Sequence, residues 1–185
     1  SVSTAGDVNG DGFSDVIVGA HYFDNGQTDE GRAYVYHGSA SGLNPAANWT
    51  AEDNVTGAEF GFSVSTAGDV NGDGFSDVIV GAPVYSNPLS QQGQVIVYHG
   101  SASGLGGSSW VVVGDQAGMN YGISVATAGD VNGDGYGDVI VGAIRFDNGQ
   151  TDEGRAYLYP GSASGLGRRE RGRVQRRDCG RPHLR

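Results

Sequence analysis

The string STAGDVNGDGFSDVIVGA occupies residues 3–20 and returns unchanged at 65–82, and ATAGDVNGDGYGDVIVGA follows at 126–143. Asp7, Asp69 and Asp130 open the shared DVNGDG, so the period is 62 and then 61 residues. A second marker keeps the same beat, with YVYHGSASGL at 34–43, VYHGSASGL at 97–105 and YLYPGSASGL at 157–166. Self-similarity at a fixed period marks stacked supersecondary units, none of which can bury its apolar face alone. This restricts the chain more than any other feature.

Each period reads as four short strands. In the second copy these fall near 60–68, Asp77–Ala82, Gln94–His99 and Trp110–Val113. Val78, Ile79 and Val80 form a continuous apolar run, expected to be covered on both faces. Gly-rich and acidic turns separate the strands, and no stretch keeps a helical period. The expected fold is all-β, with β-propeller blades of four antiparallel strands. About three blades are expected. A solenoid and tandem sandwiches are the competing stacks. A β-helix coil would need a much shorter period, and a sandwich about a hundred residues and seven strands.

The expected organisation is repeat 1 at 1–59, repeat 2 at 60–120, repeat 3 at 121–167 and a tail at 168–185. Repeat 1 reads as N-terminally truncated and repeat 3 as lacking its fourth strand. The chain opens at Ser1 inside a repeat, does not begin with Met and shows no signal peptide, so a fragment or processed piece is expected.

Net charge is −10, but it divides sharply. Residues 168–185 hold eight Arg against Glu170 and Asp178, while residues 1–167 hold three Arg against nineteen acids. An acidic body repels nucleic acid phosphates and attracts cations. The tail reads either as a frameshift product or as a basic arm for acidic surfaces. Cys179 is the single cysteine, so no intrachain disulfide framework exists. No apolar run is long enough to span a membrane as a helix.

The chemistry sits in DVNGDGFSD. Oxygen-bearing side chains stand at loop positions 1, 3, 5 and 9: Asp7, Asn9, Asp11 and Asp15, then Asp69, Asn71, Asp73 and Asp77, then Asp130, Asn132, Asp134 and Asp138. Position 7 offers a backbone carbonyl from Phe13, Phe75 or Tyr136, leaving its ring free to pack beside the strand. Calcium takes six to eight hard oxygens, and a tightly turned loop can aim alternate positions at one point. Asp, Asn and Gly also favour plain solvated turns. One copy leaves both readings open, whereas three copies in one register favour a cation, about three Ca2+ ions with one per repeat. An EF-hand needs an acid at position 12 and flanking helices, but Val18, Val80 and Val141 stand there.

These residues resemble the FG-GAP repeat family of integrin alpha chains and many bacterial surface or secreted proteins. The family's marks are Phe60-Gly61 with Gly81-Ala82-Pro83 in repeat 2, and Tyr121-Gly122 with Gly142-Ala143-Ile144 in repeat 3; repeat 1 keeps Gly19-Ala20-His21. The resemblance covers about residues 1–167. It implies a propeller that usually closes with about seven blades. It places the calcium loops between first and second strands, on the face opposite the one that commonly binds ligands. It carries ligation onto the residues named above and carries no catalytic residue. It further implies an extracellular or cell-surface module for adhesion or protein recognition, with structural calcium. Carbohydrate binding as an accessory module of a secreted enzyme, and a passive surface spacer, are the alternatives. An incomplete arc would also expose blade edges open to self-association.

FDNGQTDEGRAY, at 23–34 and 146–157, falls on the ligand side by the same resemblance. Its acids Asp24, Asp29, Glu30, Asp147, Asp152 and Glu153 could meet a partner or a further cation, or simply be solvated. His37 and His99 read as structural, since Pro160 replaces them in the third copy. No Ser-His-Asp order recurs and no phosphate-cradling loop precedes a helix, so the chain reads as non-enzymatic.

Overall fold

The computed structural model describes residues 1–167, so the Arg-rich tail at 168–185 and both readings of it lie outside the described residues. Eleven strands are described. β1 (Val2–Gly6), β2 (Asp15–Ala20), β3 (Arg32–Tyr36) and β4 (Trp49–Glu52) form the first sheet. β5 (Ser63–Gly68), β6 (Asp77–Ala82), β7 (Gln94–Tyr98) and β8 (Ser108–Val113) form the second. β9 (Tyr121–Gly129), β10 (Asp138–Ala143) and β11 (Arg155–Tyr159) form the third. Within each sheet, strands that follow one another in sequence pair antiparallel, giving three meanders that do not close into one sheet. This is the arrangement of incomplete propeller blades. No helix among the described residues is long and apolar enough to cross a membrane.

The β-branched run in each second strand explains the stacking. β6 is buried along its whole length, because blades lie on both sides of it. Val78 and Val80 join a core with Ile17, Ala33 and Val35 of the first blade. Ile79 joins a second core with Val139, Val141, Tyr157 and Tyr159 of the third. Among the described residues no blade covers the far side of the third, and Ile140 is 39% exposed where Ile79 is fully buried. Trp49 packs edge-on against Tyr98 across the first junction (ring centroids 4.7 Å), and Trp110 repeats this on Tyr159 at 4.9 Å. Such aromatic pairs add to simple area burial.

The two family motifs meet across these junctions. Phe60 is fully buried and bridges Gly31 of the preceding blade; Tyr121 does the same with Gly93. A Cβ on Gly19 would stand 1.9 Å from the Gly61 carbonyl oxygen, and one on Gly81 would stand 2.1 Å from that of Gly122. The Gly of one blade's Gly-Ala is therefore small because the next blade's Phe-Gly or Tyr-Gly backbone passes against it.

The first strand begins later than the sequence suggests in repeat 2, at Ser63, because Phe60 to Phe62 are spent on this bridge and a turn. The third strand stops at Tyr98, one residue short of His99.

Candidate metal centre

The loops 7–15, 69–77 and 130–138 each join the first two strands of a sheet, and they fold alike. Position 1 is the hub. Asp7 Oδ1 accepts the N–H groups of Gly10 (2.7 Å) and Asp11 (3.1 Å), and Oδ2 accepts that of Gly12 (2.8 Å). Asp69 does the same with Gly72, Asp73 and Gly74, and Asp130 with Gly133, Asp134 and Gly135. The wrap needs left-handed backbone at positions 4 and 6, which Gly10 (φ 73°) and Gly12 (φ 88°) supply.

Positions 3 and 5 lie together beside the hub. Asn9 Nδ2 donates to Asp11 Oδ2 at 2.9 Å, and Asn9 Oδ1 accepts the Asp11 N–H at 3.2 Å. Asn71 with Asp73 and Asn132 with Asp134 repeat both contacts. Position 9 is set apart from them. Asp15 is buried, and its oxygens accept the N–H groups of Val8 (2.9 Å) and Gly38 (2.8 Å). Asp77 and Asp138 hold Val70 with Gly100 and Val131 with Gly161 in the same way. This Asp therefore fastens the base of the loop to the end of the third strand.

Hydrogen bonds from the Phe13 backbone and the Asn9 side chain hold the Asp11 carboxyl below the usual carboxylate value. The Gly135 N–H, followed by other backbone donors, does so for Asp130. Burial pushes Asp77 up to about 6. Each loop carries three carboxylates and no basic side chain. Backbone dipoles are the only positive groups within the loop itself. Among the described residues, no three His, Cys, Asp or Glu side chains stand already arranged as a cage. The donor set nevertheless fits a hard cation, because every loop side chain in question offers oxygen and the loop's turns are formed.

The position 7 ring reaches the loop of the preceding blade, a contact the sequence reading did not include. A Cβ on Gly10 would lie 2.6 Å from Phe75 Cε1, and one on Gly72 would lie 2.6 Å from Tyr136 Cε1. Phe13, with no preceding loop among the described residues, is 41% exposed. The one sequence signal for this contact is that position 7 is aromatic in all three copies. His37 and His99, read as structural, also stand beside the loops, with Nδ1 3.3 Å from the Asn9 and Asn71 amide nitrogens.

The acidic loops at 23–34 and 146–157 sit at the other end of the sheets, between second and third strands. Asp24 Oδ1 accepts the Asp29 N–H and Asp147 Oδ1 the Asp152 N–H, so these acids build the turn. Arg32 lies 4.2 Å over the Phe23 ring and binds Glu52, while Arg155 lies 4.0 Å over Phe146. Glu30 is buried with both oxygens unpartnered among the described residues.

Comparison with known proteins agrees with this architecture. A family model described as FG-GAP repeat matches residues 1–36, 60–98 and 121–159. The chain is 37% identical over 179 residues to "Integrin alpha pat-2" of Caenorhabditis elegans, covering 89% of this chain and 14% of the relative. It is 38% identical over 144 residues to "Integrin alpha-7" of Homo sapiens, covering 75% of this chain and 11% of the relative. The chain thus spans only a small part of the length of the curated relatives it matches.

Proposed function

The chain belongs to the FG-GAP repeat family, and from that premise we propose that it is a calcium-binding, extracellular propeller module that recognises a protein ligand without catalysis. One observation carries the reading. Three all-oxygen loops, each with three carboxylates and no basic residue, recur at the same station of three successive blades.

Asp7, Asn9, Asp11 and Asp15, with the Phe13 carbonyl, would hold the first ion. Asp69, Asn71, Asp73, Asp77 and Phe75 would hold the second, and Asp130, Asn132, Asp134, Asp138 and Tyr136 the third. Bound calcium would supply the positive charge that the carboxylates of each loop lack. The residues themselves do the structural work. The position 1 Asp gathers the turn, and the position 9 Asp ties it to the third strand. An affinity of about 10⁻⁴–10⁻³ M suits a module working in a calcium-rich exterior.

The names of the relatives favour adhesion or protein recognition over sugar binding or a passive spacer. The loops between second and third strands are the natural recognition surface, since repeat 2 carries YSNPLSQQGQV where repeats 1 and 3 carry acidic loops, while positions 1, 3, 5 and 9 of the cation loops keep the same residues throughout. Equilibrium dialysis should find about three calcium ions per chain. The loaded protein should then bind members of a panel of purified extracellular proteins and lose them in chelator. Binding confined to a glycan array would refute protein recognition, and silence on both would favour the spacer.

A further inference from the structure

The loop between second and third strands turns the same way in the first two blades. Asp24 Oδ1 accepts the Asp29 N–H at 2.7 Å, and Ser86 Oγ accepts that of Gln91 at 2.8 Å. Gly31 closes the first loop on the Phe23 carbonyl at 3.0 Å, and Gly93 closes the second on that of Tyr85 at 3.1 Å. The connector to the next blade zips onto each loop. Gly57, Glu59 and Phe60 donate to the carbonyls of Thr28, Asp29 and Glu30, and Gly118, Asn120 and Tyr121 to those of Ser90, Gln91 and Gln92. Only the buried side chain at the end of the turn differs. Gln92 folds back into its own loop, where its amide accepts the Leu89 N–H at 3.0 Å and donates to the Asn87 carbonyl. Glu30 is fully buried in the matching seat, and both its carboxylate oxygens lack a partner among the described residues. The amide oxygen of Gln27, which stands where Leu89 stands one period on, is buried and unpartnered among them as well. Arg32 is not available to Glu30, because its guanidinium binds Glu52 and lies over the Phe23 ring.

Three buried acceptor oxygens in one closed turn call for a positive group. A carboxylate out of water is costly unless it is paired or coordinates a metal. A water molecule has two hydrogens for the three acceptors and leaves the charge uncancelled. An alkali-metal ion brings one positive charge to one buried carboxylate, and hard oxygens suit it. A divalent ion would leave a surplus, and among the described residues no three acidic or His side chains form a cage for one. We infer that loop 24–31 holds a monovalent metal cation of the sodium kind, bound by the Glu30 carboxylate and the Gln27 amide oxygen. The site lies at the other end of the first sheet from loop 7–15 and stands whether or not that loop takes calcium. An ion there ties the turn to the 57–60 connector, and so stiffens the recognition loop where the first blade meets the second.

The test is thermal unfolding of the complete chain at one fixed calcium concentration, in sodium chloride and in tetramethylammonium chloride of equal ionic strength. Sodium about tenfold above its dissociation constant should raise the melting temperature by about 4 °C. Glu30→Gln should fold, because Gln92 fills the same seat with an amide, and should melt alike in both salts. Bulk salt effects act on both chains, so the difference between them is the reading. Gln27→Leu, which gives the first loop the residue of the second, should cut the sodium shift to about a third, as a tenfold weaker site would. That variant keeps the test open if circular dichroism shows that Glu30→Gln fails to fold. No sodium shift in the unaltered chain, or the same shift in folded Glu30→Gln, would overturn the site. A calcium isotherm that loses one ion in Glu30→Gln would put a divalent ion in the seat and overturn the monovalent one. An unaltered chain that reaches the Glu30→Gln melting temperature on acidification, with no sodium shift, would put a proton there and overturn it too. An unchanged shift in Gln27→Leu would overturn the part given to Gln27. Failure of the DVNGDG loops to bind calcium would leave the sodium shift in place, so the two readings fall separately.

Discussion

Glu30 and Gln92 occupy the same station in successive blades, and only Gln92 is satisfied there. The Gln92 amide accepts the Leu89 N–H at 3.0 Å and donates to the Asn87 carbonyl. Both carboxylate oxygens of Glu30 are buried with no described partner. A buried acceptor without a donor costs free energy that an amide in the same seat recovers. Glu30→Gln should therefore stabilise the protein by about 1–2 kcal/mol in denaturant unfolding without alkali-metal ions. Destabilisation by a similar amount would show that Glu30 has a partner the fold requires.

The junction glycines give a paired prediction. A Cβ on Gly81 would strike the Gly122 carbonyl oxygen at 2.1 Å, which is backbone of the next blade and cannot step aside. A Cβ on Gly142, the same position in the third blade, meets only the Ser124 Oγ closely, at 2.3 Å, and that group can rotate away. Gly81→Ala should cost about 3 kcal/mol or more, and Gly142→Ala under about 1 kcal/mol. Equal losses in urea unfolding would contradict the account of how blades meet.

Much of this architecture was legible in the sequence because its signals are local. The Val-Ile-Val run, the Gly-rich turns and the alternate oxygens of DVNGDG each act within a few residues, and strands and loops formed where they pointed. What one blade does to the next was not legible. FDNGQTDEGRAY is the same string at 23–34 and 146–157, yet Glu30 is buried and Glu153 is partly exposed, because among the described residues only Glu30 has a following blade over it. The ring of Phe75 likewise reaches Gly10, far away in sequence, and no spacing rule within one loop could have placed it there.

Asp53 supplies a pH dependence. Burial pushes its carboxyl from 3.8 up to about 6, against a smaller opposing effect of the Gln94 hydrogen bond. The Gln94 contact is long, at 3.4 Å, and Asp53 Oδ2 is buried without a described partner. Because the folded value is raised, the folded state holds this proton more tightly than the unfolded chain does. Stability should therefore fall as pH rises from 3.8 to about 6, and stay lower above that window. Asp53→Asn should gain about 1–2 kcal/mol at pH 7.5 and little at pH 4. A gain of the same size at both pH values would show that ionisation is not the cause.

The central claim, that the three DVNGDG loops are calcium sites on which the blades depend, is tested most directly by thermal unfolding in millimolar calcium and then in excess chelator. At calcium about tenfold above each dissociation constant, three sites should raise the melting temperature by about 10 °C. Circular dichroism in chelator establishes that the strands are present before heating. An unchanged melting temperature in a chain folded under both conditions would mean that the loops are ordinary acidic turns, and would contradict the account.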